Sequence, residues 1–242
     1  MNASNALTYV LHTRNYRETS QLVDVFSREF GRLRVVARGA RRKSGKGRLH
    51  VFTPMLASWQ GRGELKSLTG AEVSGKANFL LGERLYIGLY LNELLIRLLP
   101  EYVPHEVLFD RYAELVTHLS SIKDLEPSLR GFEFFLLEAL GYGIDLTTEV
   151  NSGRGIMTDE HYHFVNDEGF VRFDGLSSRE KKGSFEGLDL LAMAADDYSN
   201  IATRRSAKRL LRGVLNHYLG GRPLLSRQLF RQMSSPVRQG EA

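Results

Sequence analysis

Residues 30–59 read FGRLRVVARGARRKSGKGRLHVFTPMLASW. Its opening, Arg32-Leu33-Arg34-Val35-Val36-Ala37, interleaves cations with apolar residues around a β-branched centre, which is the pattern of a strand. Arg38, Arg41, Arg42, Lys43, Lys46 and Arg48 follow, six cations in eleven residues with no acid among them. Gly39, Gly45 and Gly47 punctuate that run and mark it as a loop rather than a helix. An extended apolar pattern resumes over 50–59. Like charges crowded on one loop repel, so the run adds nothing to stability. It suits a polyanion, whose phosphates give up condensed counterions when Lys and Arg replace them. With Arg32 and Arg34 on the strand, these cations are the candidate phosphate contacts; the competing reading is a solvated basic loop without a ligand.

Outward from this stretch, four more short strands are expected between residues 6 and 73, around Leu7–Leu11, Leu22–Phe26, 51–59 and 65–73. Gly31, Gly61-Arg62-Gly63 and the basic loop separate most of them. Five strands in about 70 residues suggest a small antiparallel barrel, of the OB or SH3-like type. At Asn78 the period changes. Leu81, Leu85, Leu89, Asn92 and Ile96 recur at helical spacing, and Pro100 and Pro104 end that helix. Further apolar helices are expected over 106–121 and from Pro127 to Gly141, where Phe132, Phe135 and Leu136 read first as core. Two strands around a turn at Asn166-Asp167-Glu168-Gly169 form a hairpin element within 147–175. A short helix near 188–195, a strong one over 203–219 and one more over 224–233 complete the chain. The expected fold is thus an α+β multidomain chain, a barrel over 1–77 followed by an α-helical bundle domain over 78–242 that carries the hairpin.

Charge is segregated along the chain. Residues 1–80 hold 14 Lys and Arg against 5 Asp and Glu, residues 81–200 hold 10 against 22, and residues 201–242 hold 9 against 1. Two basic segments around an acidic one point to nucleic acid as the partner of the basic surfaces. The absence of cysteine excludes disulfides and thiolate-based metal or nucleophile sites. His161 and His163 share a strand face, yet a metal needs further ligands and none is apparent. The Gly39 to Lys46 run fails as a phosphate-binding Walker loop, because its spacing is long by one and Gly47 stands where Ser or Thr must hold magnesium. No nucleophile elbow is present. Binding without catalysis, and no cofactor, is the expectation. Without an apolar leader or a membrane-length apolar run, so is a cytoplasmic location.

Several blocks carry a family likeness: Glu18-Thr19-Ser20, Val25-Phe26-Ser27, Ala37-Arg38-Gly39-Ala40-Arg41 and Phe52-Thr53-Pro54. Gly88-Leu89-Tyr90-Leu91-Asn92-Glu93-Leu94-Leu95, Leu140-Gly141-Tyr142-Gly143 and the run from Tyr218 to Arg227 follow in order. Together they resemble the RecO family of bacterial DNA-repair proteins over nearly the whole chain. The resemblance implies an N-terminal OB-fold, a helical domain and a recombination mediator rather than an enzyme. It implies binding of single- and double-stranded DNA, annealing of complementary strands, and cooperation with RecR to load RecA onto DNA coated by single-stranded-DNA-binding protein. It also implies capture of that coating protein's acidic C-terminal tail, and residence in the cytoplasm with the nucleoid. One branch of the family holds a zinc with four cysteines after the Gly-Tyr-Gly block. Here that region has none, so a metal-free hairpin is expected. Residues 1–6 carry no part of the likeness and read as a disordered lead-in.

Tyr9, Tyr16, Phe52 and Trp59 are candidate stacking faces for bases, Trp59 being also a natural core residue. On the 203–219 helix, Arg204, Arg205, Lys208 and Arg212 are candidate extensions of the DNA track. Cations near a helix N-terminus oppose the macrodipole, so a ligand or the acidic middle segment should compensate them. For the acidic tail, an apolar pocket rimmed by cations is expected from Leu129, Arg130, Phe132 and Phe135, with Lys208 or Arg209 at its rim. The alternative for Arg130 is pairing with Glu126 or Glu133 on its own helix. The competing function is a basic protein-interaction scaffold with no direct role on DNA.

Overall fold

The computed structural model describes residues 2–40, 49–173 and 183–234. They form two compact units, one holding residues up to 122 together with 223–234, the other residues from 123 to 222.

In the first unit five strands close a barrel: β1 (Ala3–Tyr16), β2 (Ser20–Ser27), β3 (Gly31–Ala37), β4 (Pro54–Gln60) and β5 (Lys66–Val73). Their order is β1-β2-β3-β5-β4, with β3 and β5 parallel and the other pairs antiparallel. This is the OB-like arrangement, and it settles the choice of barrel. The expected core faces meet inside: Val10, Val23, Val25, Leu33, Val35, Met55 and Trp59 are all buried. The long β1 serves both β2 and β4, and a register shift between Val10 and His12 bends it between them. The expected lead-in is part of this wall. Ala3 pairs with Trp59, Ala6 pairs with Ala57, and Ala6 is 1% exposed.

β2 is buried on both faces, because helices cover the outside of the barrel there. α1 (Glu83–Leu98) and α2 (Glu106–His118) supply that cover. Phe109 and Tyr112 of α2 pack edge-on against Phe26, and Tyr112 also against Tyr9 at 5.2 Å. Asn92, buried on α1, donates to the Leu11 carbonyl at 2.8 Å and accepts from the Tyr112 hydroxyl at 2.6 Å. Its polar side chain interrupts the apolar stripe in order to tie helix, helix and strand together.

The second unit opens with α3 (Leu125–Ala139), whose first turn is capped by the Asp124 side chain. Strands β6 (His161–Val165), β7 (Gly169–Arg172) and β8 (Phe185–Glu186) form a sheet in the order β7-β6-β8. The expected turn lies between Val165 and Gly169, with Asp167 at φ 65°. Helices α4 (Gly187–Ala194) and α5 (Ile201–Tyr218) follow, joined by a buried Asp189 that accepts from Thr203 at 2.8 Å and Ser206 at 2.5 Å. The chain then returns to the first unit with α6 (Leu225–Ser234), which packs on α1. Arg227 of α6 lies over the Tyr90 ring at 5.0 Å and donates to its hydroxyl.

Among the described residues no three His, Cys, Asp or Glu side chains gather as a metal-ligand set. His163 instead packs edge-on against Phe173, with ring centroids 4.6 Å apart. Among the same residues no helix is long and apolar enough to cross a membrane.

Candidate nucleic-acid interface

One row of the barrel fixes where its loops emerge. Thr13 pairs with Val23, Val23 with Val35, and Val35 with Lys66. Beyond that row lie the β1–β2 turn, where Tyr16 meets Ser20, and the end of β3, where Ala37 pairs with Gln21. The β4–β5 connection enters this row at Lys66 from the other side, because β5 runs parallel to β3. The β1–β2 turn, one of the loops that an OB barrel uses to hold oligonucleotides, and the chain leaving β3 therefore open at one end of the barrel, while the β4–β5 connection opens at the other, where the Tyr102 hydroxyl donates to the Glu64 carbonyl.

Arg38 stands exposed just past the end of β3, and among the described residues no side chain pairs with it. Arg41, Arg42, Lys43, Lys46 and Arg48 lie outside the described residues. Arg14 and Arg17 are exposed at the β1–β2 turn, flanking the half-buried Tyr16. Arg17 lies over the Tyr16 ring at 5.3 Å. Tyr16 was a sequence candidate but Arg14 and Arg17 were not, although basic residues interleaved with an aromatic at a turn are the signal that reveals them. Arg62 is exposed on the β4–β5 loop, at the opposite end of the barrel.

The two cations inside β3 are otherwise engaged. Arg32 is only 9% exposed, donating through Nε to the Leu99 carbonyl at 2.9 Å and through a terminal nitrogen to Glu101 at 3.1 Å. Arg34 donates to the buried Asp24 at 2.9 Å. Both guanidiniums hold the first unit together through charge-assisted bonds. Of the aromatic candidates, Tyr9, Phe52 and Trp59 are each buried to 3% exposure or less, leaving Tyr16 as the accessible ring. Trp59 packs edge-on against Phe30 at 5.3 Å.

On α5 the cations divide. Arg204 pairs with the cap residue Asp124 at 2.6 Å and donates to the Tyr198 carbonyl, while Lys208 lies 3.7 Å from Glu126. Arg209 lies over the Phe185 ring at 4.1 Å and donates to the Ser184 carbonyl; burial holds its pKa below the usual arginine value. Arg205 and Arg212, two turns apart and exposed, have no partner among the described residues. The acidic residues near the α5 N-terminus thus offset part of the unfavourable interaction with the helix dipole.

The residues expected to form the tail pocket lie in the same unit. Arg130 is 6% exposed and pairs at 2.5 Å with Glu133, which is fully buried. Its guanidinium is turned into the protein, because a buried carboxylate one turn along its own helix needs the charge. Phe132 is core, while Leu129 and Phe135 are half-buried. Nearby, burial pushes the Tyr198 phenol up to about 12, with Asp196 and Glu133 reinforcing the shift and Arg130 opposing it.

The two halves of the chain match two family models, Recombination protein O N terminal over residues 1–76 and Recombination protein O C terminal over residues 82–228. The DNA repair protein RecO of Pseudomonas paraeruginosa is 46% identical over 228 residues, covering 94% of this chain and 95% of that protein. Those of Azoarcus sp. and Haemophilus influenzae are 43% and 44% identical, each covering 93% of this chain and 94% of the relative. With both models matched in order and this identity sustained almost end to end, the chain belongs to the RecO family of DNA-repair proteins.

Proposed function

We propose that this protein is a recombination mediator that binds single- and double-stranded DNA at the loop end of its barrel, within residues 1–77. It anneals complementary strands and, with RecR, loads RecA onto DNA coated by single-stranded-DNA-binding protein, in the cytoplasm at the nucleoid. The reading rests on one arrangement. The acid-free run 38–48 leaves the barrel at the end where Arg14 and Arg17 stand exposed around the half-buried Tyr16. Backbone phosphates are neutralised there without any base-reading element, so affinity is independent of sequence. Annealing follows, because cations screen two like-charged strands while their bases stay free to pair. Arg205 and Arg212 are a second set of open cations for DNA. The acidic tail of the coating protein is assigned to Leu129 and Phe135 of α3, with the exposed Lys208, 3.7 Å from Glu126 of the same helix, as its cation.

The test is annealing of two complementary oligonucleotides at two salt concentrations, with the parent and the Arg41→Ala/Arg42→Ala/Lys43→Ala variant. The variant should anneal more slowly on every sequence, and its salt dependence should flatten by roughly 0.7 log units per lost contact on single strands. Equal rates and equal slopes would place DNA elsewhere. Failure of the parent itself to bind or anneal would favour a protein scaffold.

A further inference from the structure

The second unit contains a cleft of about 440 Å³ between the loop that follows α3, the β6–β7 hairpin and the C-terminal end of α5. Its walls carry four carboxylates, Asp145, Glu149, Asp167 and Glu168, and no Lys or Arg. Asp145 is satisfied by Thr147, and Asp167 by the Tyr218 hydroxyl and His217. Among the described residues the other two lack a counter-charge. Glu149 is only 7% exposed and accepts from the Ser152 hydroxyl at 2.6 Å, but no cation pairs with it among the described residues. A carboxylate so deeply buried is costly unless a cation approaches it. The carboxylate of Glu168, exposed at the hairpin turn, has no partner at all among those residues.

Beside the carboxylates, the rings of Tyr142 and Tyr218 stack at 3.8 Å and 15°, and Tyr142 remains 41% exposed at the cleft wall. Phenol faces attract cations through their quadrupole. We propose that this cleft receives an arginine side chain presented by a partner protein. A planar guanidinium can lie on an aromatic face while its N–H fork donates to carboxylates, which a lysine ammonium does less well. The apolar stem of the arginine fits the Val150 and Phe164 surfaces that also line the cleft. DNA and an acidic tail are both repelled here, so this site takes a partner of the opposite charge to those proposed above and does not depend on them.

The experiment is a titration of the isotope-labelled full chain, followed by amide resonances. The probes are an acetylated, amidated Gly-Leu-Arg-Leu-Gly peptide and its citrulline counterpart, which keeps the shape and loses the charge. The arginine peptide should shift amides of residues 141–153, 164–169 and 218 and bind about tenfold more tightly than the citrulline peptide, as a charge-assisted contact implies. Glu168→Gln should weaken the arginine peptide by about threefold, as expected for a rim pair, and leave the citrulline peptide unchanged. Tyr142→Leu, which removes the open ring, should weaken the arginine peptide as well. Equal binding of the two peptides, shifts scattered over the acidic surface, or no shift at millimolar peptide would each overturn the proposal.

Discussion

Arg130 and Glu133 lie one turn apart on α3 and form an ion pair of 2.5 Å that solvent barely reaches, their side chains being 7% and 0% exposed. Such a pair returns little net stability over an apolar pair of the same volume, yet breaking it strands a charge. Arg130→Ala should therefore destabilise the protein by about 3–5 kcal/mol. The double change Arg130→Met with Glu133→Leu should recover most of that loss. Urea unfolding of the three proteins decides. A single-variant loss under about 1 kcal/mol, the range of a surface pair, would mean that water reaches Glu133.

Glu93 performs a similar service for another helix. Its carboxylate accepts from the backbone N–H groups of Leu225 and Ser226, each at 2.9 Å, and from the Ser226 hydroxyl at 2.7 Å. It thus caps the N-terminus of α6 from α1, where the helix dipole favours a negative charge. Glu93→Ala should cost about 0.5–2 kcal/mol, the range for a lost cap. Hydrogen exchange should rise within residues 225–234 while the barrel amides keep their protection. Uniform acceleration across the first unit would show instead that Glu93 supports the whole unit.

Much of this architecture was legible in the residues. The β6–β7 hairpin announces itself through two alternating runs around Asn166-Asp167-Glu168-Gly169, and the apolar stripes mark the helices. The direction of charged side chains was not legible. Arg32 and Arg34 alternate with apolar neighbours as if facing solvent, but Leu99, Glu101 and Asp24 cover them. Pattern reports which side of a strand a residue occupies, not whether another element lies over it. Arg130 reads either way in the sequence, as a pocket cation or as a partner of its own helix, and the pair with Glu133 is the one formed. The start of β1 was missed for a different reason. Ala3, Ser4, Asn5 and Ala6 have little strand preference, and pairing with β4 imposes the extended backbone.

Gly31 offers a backbone test. It sits at φ 68°, and a Cβ placed on it would lie 2.0 Å from the Val103 carbonyl oxygen. That segment is held against β3 by the Tyr102 N–H, which donates to the Arg32 carbonyl at 2.8 Å. Gly31→Ala thus combines a left-handed backbone penalty of roughly 1–2 kcal/mol with displacement of residues 101–103. A thermal midpoint lowered by more than the strain alone accounts for is the expected result. Gly63, where an added Cβ would meet nothing within 4 Å, is the control, and Gly63→Ala should stay within about 0.5 kcal/mol of the parent.

The hairpin turn supplies a pH test. The Tyr218 hydroxyl donates to Asp167 at 2.8 Å and His217 approaches the same carboxylate at 3.0 Å. The hydrogen bond from Tyr218, and after it the contact with His217, hold the Asp167 carboxyl below its ordinary value. Burial first, and then the Asp167 bond, push the Tyr218 phenol up to about 12. A depressed carboxyl stabilises the fold fully above its unfolded pKa, about 3.9, and loses that contribution as pH falls through the folded value. Asp167→Asn should accordingly melt below the parent near about pH 6, and the two melting curves should converge once the pH drops below both values. Tyr218→Phe removes the larger cause of the shift, so it should narrow the window over which parent and Asn variant differ. A gap between parent and Asp167→Asn that stays constant down to about pH 2 would mean that the ionised carboxylate is not what clamps the turn to α5.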